Sequence, residues 1–248
     1  MINPIGKEFM RLTRYPHLSI SAQNQGEPIP PLELPLPADA RLVDLPAPQD
    51  ISLAPVDLRA AIEGRRSLRK YAEGPLSLGE LSFLLWATQG VRMVTPRPAT
   101  LRNVPSAGSR HAFETYLLVN RVDGLAPGLY RYTAIEHKLM EVDLSGDVAE
   151  RTMHACHDQH MIGQAAVSFI WVAVVERMIW RYVERGYRYL HLDAGHVCQN
   201  LYLAAEAVGC GACAIAAYDD DLLNQVVGAD GEALFAIYVA ALGKKPAH

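Results

Sequence analysis

The sequence lacks long apolar runs, has few cysteines and carries little net charge. Its opening stretch, MINPIGKEFMRLTRYP, has no apolar segment typical of a signal peptide, and no later stretch is long and uncharged enough to span a bilayer. Four cysteines in 248 residues do not form a disulfide framework. With 23 Lys and Arg against 27 Asp and Glu, the composition offers no bulk attraction to nucleic acid or anionic membranes. We therefore expect a cytoplasmic globular protein that binds neither.

Several catalytic motifs are also missing. There is no G-x-S-x-G elbow, no Walker loop and no G-x-G-x-x-G. Cys210 and Cys213 have C-x-x-C spacing, but the pair leaves a predicted helix and enters a strand, whereas a redox pair needs a helix N-terminus to lower its thiol pKa. One group of metal-ligand residue types follows no recognisable zinc motif, and we predict no metal site there: His154, Cys156, His157 and His160.

Half of the residues are hydrophobic, and the most informative of them predict a long helix over residues 187–208. An apolar stripe recurs at three- and four-residue steps: Leu190, Ala194, Val197, Leu201, Ala205 and Val208. The opposite side is also largely apolar, so we expect cover on every side, from the same chain or from a second copy. Gly195 in the middle suggests the close approach of another helix, and Gly209 and Gly211 are predicted to end it.

The remaining pattern predicts an α+β domain of three layers. Residues 1–55 include a proline-rich stretch that predicts an extended arm lying on a body at residues 56–248, with a disordered linker as the competing interpretation. Ser77 and Glu80 have capping-box spacing and begin a helix that ends at Gly90, after which residues 95–112 are predicted as a polar loop. Strands are predicted at 115–122, 129–132, 137–142, 165–175 and 234–242, with helices at 146–157 and 219–227.

Three short segments have the residue types of a ligand site. The turn at residues 65–69 alternates arginines with a serine and could hold a phosphate group, and Lys244 and Lys245 directly follow a buried strand. The small-residue loop at 105–110 could line a ligand with its amides and hydroxyls. Each segment taken alone is equally compatible with an ordinary solvated surface.

Taken together, these segments resemble the nitroreductase family of FMN-dependent oxidoreductases. The likeness is carried, in order, by RRSLRKY, PSAGSRHAFETYLLV, GLYRY, ACHDQ, RYVERGYRYLHLDAGHVCQNLYLAAEAVGCGACAIAAYDDD and ALGKK. It is closest to the SagB-type branch, the thiazole/oxazole-forming peptide dehydrogenases. The resemblance implies a three-layer fold in which helices flank a mostly antiparallel central sheet. It also implies an interlocked homodimer with two FMN sites at the interface.

The resemblance further implies the residues that hold FMN. Arg65 and Arg66 would meet the phosphate, Ser67 the ribityl chain, and Arg69 the pyrimidine edge near N1 and O2. Lys244 and Lys245 would close on the phosphate. The other implied positions are a loop from the partner subunit (Pro105, Ser106, Ala107 and Ser109), an amide at the flavin edge (Gln159) and backbone along the ring (Ile215, Ala216 and Ala217).

The implied chemistry is hydride transfer through flavin N5, with NAD(P)H as donor, small electrophiles such as nitroaromatics or quinones as acceptors, and ping-pong kinetics. The SagB-type branch, which oxidises thiazolines and oxazolines in peptides, has a Lys-Tyr pair before the long helix. Here the candidate catalytic pair is Arg181 and Tyr182, and arginine is a poor general base because it stays protonated. The alternatives are a peptide dehydrogenase with a partner cyclase and a precursor peptide, and a non-catalytic flavin-binding scaffold subunit.

Overall fold

The computed structural model describes residues 4–247 and is built on a seven-stranded sheet. Its strands are β1 (Leu42–Asp44), β4 (Phe113–Val119), β5 (Gly128–Thr133), β6 (Lys138–Asp143), β7 (Val167–Val174), β8 (Cys210–Ile215) and β9 (Leu234–Lys244), and a separate hairpin contains β2 (Val91–Val94) and β3 (Thr100–Arg102). The order across the sheet is β1-β6-β5-β4-β7-β9-β8, and every neighbouring pair is antiparallel.

Helices lie on both faces of this sheet. They are α1 (Ile5–Leu12), α2 (Leu58–Gly64), α3 (Leu78–Gln89), α4 (Val148–Ala155), α5 (Met161–Gln164), α6 (Val175–Tyr182), α7 (Gly186–Ala207) and α8 (Asp220–Val227). One apolar core joins α3 and α7 to the sheet, and a second joins α4 and α8 to its other face. The predicted α+β architecture of three layers is therefore confirmed. Within residues 4–247, none of the helices is both long and apolar enough to cross a membrane.

The central strand β7 is buried along its whole length, as its continuous apolar, β-branched run predicts. Leu117 of β4 pairs with Phe169, and Ile170 pairs with Val239 of β9, so β7 is covered at both edges as well as on both faces. The predicted capping box at the start of α3 is also present, with Ser77 and Glu80 each accepting the other's backbone N–H.

Helix α7 crosses the domain much as predicted, with its stripe of apolar residues in the core. It ends where Gly209 takes a left-handed φ of 62°. The prediction that Gly211 also ends the helix is wrong, because this residue lies inside β8. Within a single chain, the cover expected on every side of α7 is incomplete: Leu192 is 59 % exposed, and nothing lies within 4 Å of a Cβ built on Gly195.

The N-terminal segment packs along the body through buried polar groups. Arg177 donates from Nε to the Pro31 carbonyl at 2.7 Å and pairs with the buried Glu114, whose carboxylate accepts the Leu34 N–H at 2.9 Å. Trp180 donates to the carbonyl of Glu27 at 3.1 Å. Several elements were not predicted from the sequence: α1 and β1 within this segment, the hairpin of β2 and β3 around the start of the predicted polar loop, and the helices α5 and α6.

Candidate functional site

The arginine-serine turn at residues 65–69 follows α2 and lies directly beside β8. Ser67 forms a parallel bridge with Ala212, and the Leu68 N–H donates to the Ala212 carbonyl at 2.9 Å. Gly211 permits this contact, because a Cβ there would lie 2.7 Å from Leu68 Cδ2. The turn is thus attached to the strand that leads to residues 215–217, another predicted part of the site.

Tyr202 of α7 joins the turn to β8. Its hydroxyl accepts the Ala214 N–H at 2.8 Å and lies 3.2 Å from Ser67 Oγ, while the Arg65 guanidinium stands 5.3 Å from the centre of its ring. The sequence analysis missed Tyr202 as a site residue, because it occupies one of the apolar positions of a long helix. The sequence feature that could have indicated Tyr202 is its hydroxyl group, which lies near the end of that long helix.

The three arginines of the turn have no carboxylate partner in the part of the chain that the structure describes. Arg66 curls back and donates to the Glu63 carbonyl at 2.8 Å at the end of α2. Arg69 makes a long contact of 3.4 Å with the carbonyl of Ser67. Most of their guanidinium donors are therefore available to an anion, and such groups bind phosphate through bidentate, charge-assisted hydrogen bonds.

The two predicted lysines lie at the same end of the sheet, but each has a carboxylate partner. Lys244 pairs with Glu80 of the α3 capping box and also donates to the Val208 carbonyl at 3.1 Å. Lys245 pairs with Glu206 at 2.5 Å. The excess positive charge of this region therefore comes from the arginines, while the lysines fix the end of β9 against α3 and α7.

The end of β8 forms the neighbouring edge of the site. Ile215 is buried in the sheet, whereas Ala216 and Ala217 leave it and are exposed. Gln159 donates from its side chain to the Ala217 carbonyl and to the Cys156 carbonyl, each at 2.9 Å. The structure thus brings together Gln159 and the backbone segment that the sequence had assigned to one flavin edge.

The loop that contains Pro105, Ser106, Ala107 and Ser109 is held by a residue that the sequence analysis missed. Asp193 on α7 is only 4 % exposed, accepts a hydrogen bond from Ser106 Oγ at 2.6 Å, and accepts the Ala107 N–H at 3.2 Å. Burial raises the pKa of Asp193, and these hydrogen bonds oppose the rise.

Arg181 and Tyr182, the candidate catalytic pair, lie at the end of α6 against this loop. Gly108 has a φ of 57°, and a Cβ there would lie 2.5 Å from the Tyr182 hydroxyl and 3.1 Å from Arg181 Nε. Only glycine leaves room for both side chains. The pair and the loop therefore form one continuous surface.

These two groups of predicted residues lie on different sides of α7 in one chain. Asp193, which holds the 105–109 loop, and Tyr202, which holds the 65–69 turn, are nine residues apart on the helix. At 3.6 residues per turn they face opposite directions, about 13 Å apart along the axis. The loop and the turn therefore do not line one cavity within a single chain.

The remaining candidate groups are the C-x-x-C pair and the cluster of histidines with Cys156. Cys210 and Cys213 are buried and unpaired, and burial raises the pKa of both thiols, that of Cys210 to about 12. Burial likewise raises the pKa of Cys156 to about 12, and His154 lies 3.3 Å from Asp158. Among residues 4–247, no three His, Cys, Asp or Glu side chains are grouped as metal ligands.

Comparison with known proteins identifies the architecture. Residues 62–244 match the profile of the nitroreductase family. The chain belongs to the nitroreductase family. This nitroreductase-family oxidoreductase is 33 % identical over 189 residues to a protein of Methanocaldococcus jannaschii that carries the name nitroreductase, a match covering 76 % of this chain and 90 % of the relative.

Two further similarities lie with peptide-processing systems. The trifolitoxin-processing protein of Rhizobium leguminosarum bv. trifolii is 29 % identical over 133 residues, which cover 52 % of this chain and 36 % of the relative. A chain in the Escherichia coli microcin synthetase complex with truncated pro-microcin bound has the same fold, with a TM-score of 0.63 and 18 % identity. That likeness covers 98 % of this chain and 92 % of the other, and so includes the N-terminal segment.

Proposed function

We propose that this chain is an FMN-dependent oxidoreductase that transfers hydride between NAD(P)H and small electrophiles of the nitroaromatic or quinone type, with ping-pong kinetics. The observation that carries the proposal is the turn at residues 65–69: its backbone is bonded to β8, and its three arginines have no carboxylate partner among residues 4–247. These donors fit a phosphate monoester, and the exposed backbone at Ala216 and Ala217 fits a flat ring placed beside it.

Each part of this edge would have a definite task. Arg65 and Arg66 would bind the phosphate, and Lys244 and Lys245, whose charges are balanced by Glu80 and Glu206, would add hydrogen-bond donors from the end of β9. Bound FMN would supply a centre that accepts hydride from one substrate and releases it to the next. Arg69 is a cation that would stabilise negative charge on the pyrimidine edge, while Gln159 holds the backbone at Ala217 in place.

We propose a homodimer as the functional unit. The loop at residues 105–109 and the turn at 65–69 lie on opposite sides of α7, so a second copy would have to present its loop to the turn of the first. On α7, Leu192 is an exposed apolar side chain, and Gly195 leaves room for close helix approach. We further propose that residues 1–55 form an arm attached to an FMN-binding domain at residues 56–248.

A second candidate function is the oxidation of thiazolines or oxazolines in a peptide, with a cyclase and a precursor peptide as partners. The likeness to the trifolitoxin-processing protein and to a chain of the microcin synthetase complex favours it. Arg181 argues against it, because arginine does not accept a proton at working pH. Tyr182 alone would then have to assist proton removal. A non-catalytic flavin-binding scaffold is the third candidate.

Stopped-flow spectroscopy of the flavin-loaded protein separates these candidates. A reductase is reduced by NADH or NADPH in milliseconds to seconds and is reoxidised by a nitroaromatic or quinone. A peptide dehydrogenase resists NAD(P)H and is reduced by an azoline peptide. A scaffold binds FMN, and its flavin is reduced neither by NAD(P)H nor by an azoline peptide. Resistance to both nicotinamides would therefore overturn the leading proposal.

A further inference from the structure

Three arginines converge on a small cavity next to the 105–109 loop. Arg97, Arg110 and Arg181 line a space of about 170 Å³ whose wall includes Ser109 and Trp180. Pockets that take whole drug-sized ligands measure about 300–1,000 Å³. This cavity is therefore of a size for one functional group of a larger ligand.

Two of these arginines, Arg110 and Arg181, are held in place without being neutralised. Arg110 donates from Nε to the Gly108 carbonyl at 3.2 Å, and its guanidinium lies 5.3 Å from the Trp180 ring centre. Arg181 lies against Gly108 and over the ring of Tyr182. Within residues 4–247, none of the three arginines of this cavity forms an ion pair.

The electrostatics of the cavity reflect this crowding. Burial lowers the pKa of Arg110, and repulsion from Arg181 and Arg97 lowers it further. The three arginines line one cavity in a chain whose net charge is negative. Because arginine stays charged, an oxyanion between the groups would remove the repulsion and accept several of their hydrogen bonds.

We propose that Arg97, Arg110 and Arg181 form an oxyanion subsite, which binds a carboxylate or phosphate group of the electron donor or acceptor. The identity of the ligand rests on the proposed function, whereas the existence of the anion site does not. Gln23, Thr95 and Ser109 add neutral polar groups to the wall. Arg181 thereby acquires a binding role in place of the proton transfer that its side chain cannot perform.

Calorimetric titration of the protein saturated with FMN, which would occupy the turn at residues 65–69, with inorganic phosphate and separately with benzoate tests the anion site without requiring turnover. The variants are Arg97→Gln, which changes an exposed residue and leaves the core intact, and Arg110→Gln. The matched control is Arg92→Gln, which removes an exposed arginine of β2 outside the cavity. We expect Arg97→Gln and Arg110→Gln to weaken binding of at least one anion tenfold or more, and the control to change it less than twofold.

Steady-state kinetics then distinguish the two sources of the anion. If the protein prefers NADPH over NADH and Arg97→Gln removes that preference, the site binds the phosphate of the donor. If the protein prefers 4-nitrobenzoate over 4-nitrobenzyl alcohol and the same variant removes that preference, the site binds a carboxylate of the acceptor. The proposal is overturned if neither phosphate nor benzoate binds at millimolar concentration, or if both cavity variants bind them within twofold of the unmodified protein. Absence of turnover with anion binding intact would reject the proposed function alone.

Discussion

The hydroxyl of Tyr202 accepts the N–H of Ala214 at 2.8 Å, and this hydrogen bond joins the longest helix to the strand that leads to the candidate flavin edge. The same hydroxyl lies 3.2 Å from Ser67 Oγ. One side chain of α7 therefore contacts both the arginine-serine turn and β8.

Tyr202→Phe should loosen this connection without changing the core volume. Loss of the acceptor leaves the Ala214 N–H without its partner, which costs about 1–3 kcal/mol in the free energy of unfolding. We also expect FMN affinity to fall several-fold, because Ser67 loses its neighbour. Urea unfolding and fluorescence titration with FMN measure the two effects. Tyr187→Phe, on the same helix, is the control, and equal losses in both variants would contradict the assignment.

Gly211→Ala should push the 65–69 turn away from β8. The new Cβ would lie 2.7 Å from Leu68 Cδ2, and such overpacking typically costs about 1–3 kcal/mol. We expect both a lower free energy of unfolding and weaker FMN binding. The matched control is Gly146→Ala, at an exposed position with nothing within 4 Å of the new methyl group. Unchanged FMN binding in Gly211→Ala would show that the position of the turn does not matter.

Leu192→Gln and Gly195→Leu test whether the exposed surface of α7 lies between two copies. Gln removes apolar burial and Leu blocks close helix approach, so we expect the dimer dissociation constant to rise tenfold or more in each variant. Sedimentation velocity at several concentrations measures this, with FMN content recorded in parallel. Leu144→Gln changes an exposed leucine away from α7 and should have no effect. A wild-type monomer that retains FMN would refute the dimer.

His111 should make the protein less stable as the pH falls. Its side chain is 5 % exposed, and burial lowers its pKa to about 3, with help from Arg102 and Arg110. Between pH 6.5 and pH 3 the unfolded chain binds more protons at this residue than the folded chain does. Stability is therefore lost on acidification, by on the order of 4 kcal/mol over that range.

Urea unfolding midpoints at pH values from 7 down to 4, compared with those of His111→Gln, isolate this contribution. The variant should show a shallower loss of stability with falling pH, whatever its stability at pH 7. Parallel pH profiles for the two proteins would show that other groups account for the acid sensitivity.

Local sequence pattern was sufficient for the elements that depend on neighbouring residues. The stripe beginning at Leu190 predicts α7, and Ser77 with Glu80 predicts the start of α3, because helical periodicity and capping act over a few positions. The same holds for β7, whose β-branched run has no polar interruption within its buried face apart from Ser168.

Contacts between distant segments were not predictable in this way. Gly211 serves the approach of Leu68, Asp193 anchors the loop at Ser106, and Tyr202 binds Ala214, and each pairing depends on the completed fold. The family likeness predicted that the arginine turn and the basic pair would belong to the site. It did not predict that Lys244 and Lys245 would each form an ion pair with a carboxylate. The likeness had assigned the 105–109 loop to the site of a partner subunit, and in one chain that loop and the turn at 65–69 lie on opposite sides of α7.

The most direct test of the account is the amount of FMN bound per chain after reconstitution, measured by flavin absorbance against protein concentration. We predict about one FMN per chain in the wild-type protein. The Arg65→Gln/Arg66→Gln double variant should bind at least tenfold more weakly, and the exposed-site control Arg41→Gln should bind like wild type. A wild-type protein that binds no FMN, or a double variant that binds it as tightly as wild type, would contradict the central claim that this turn holds the flavin phosphate.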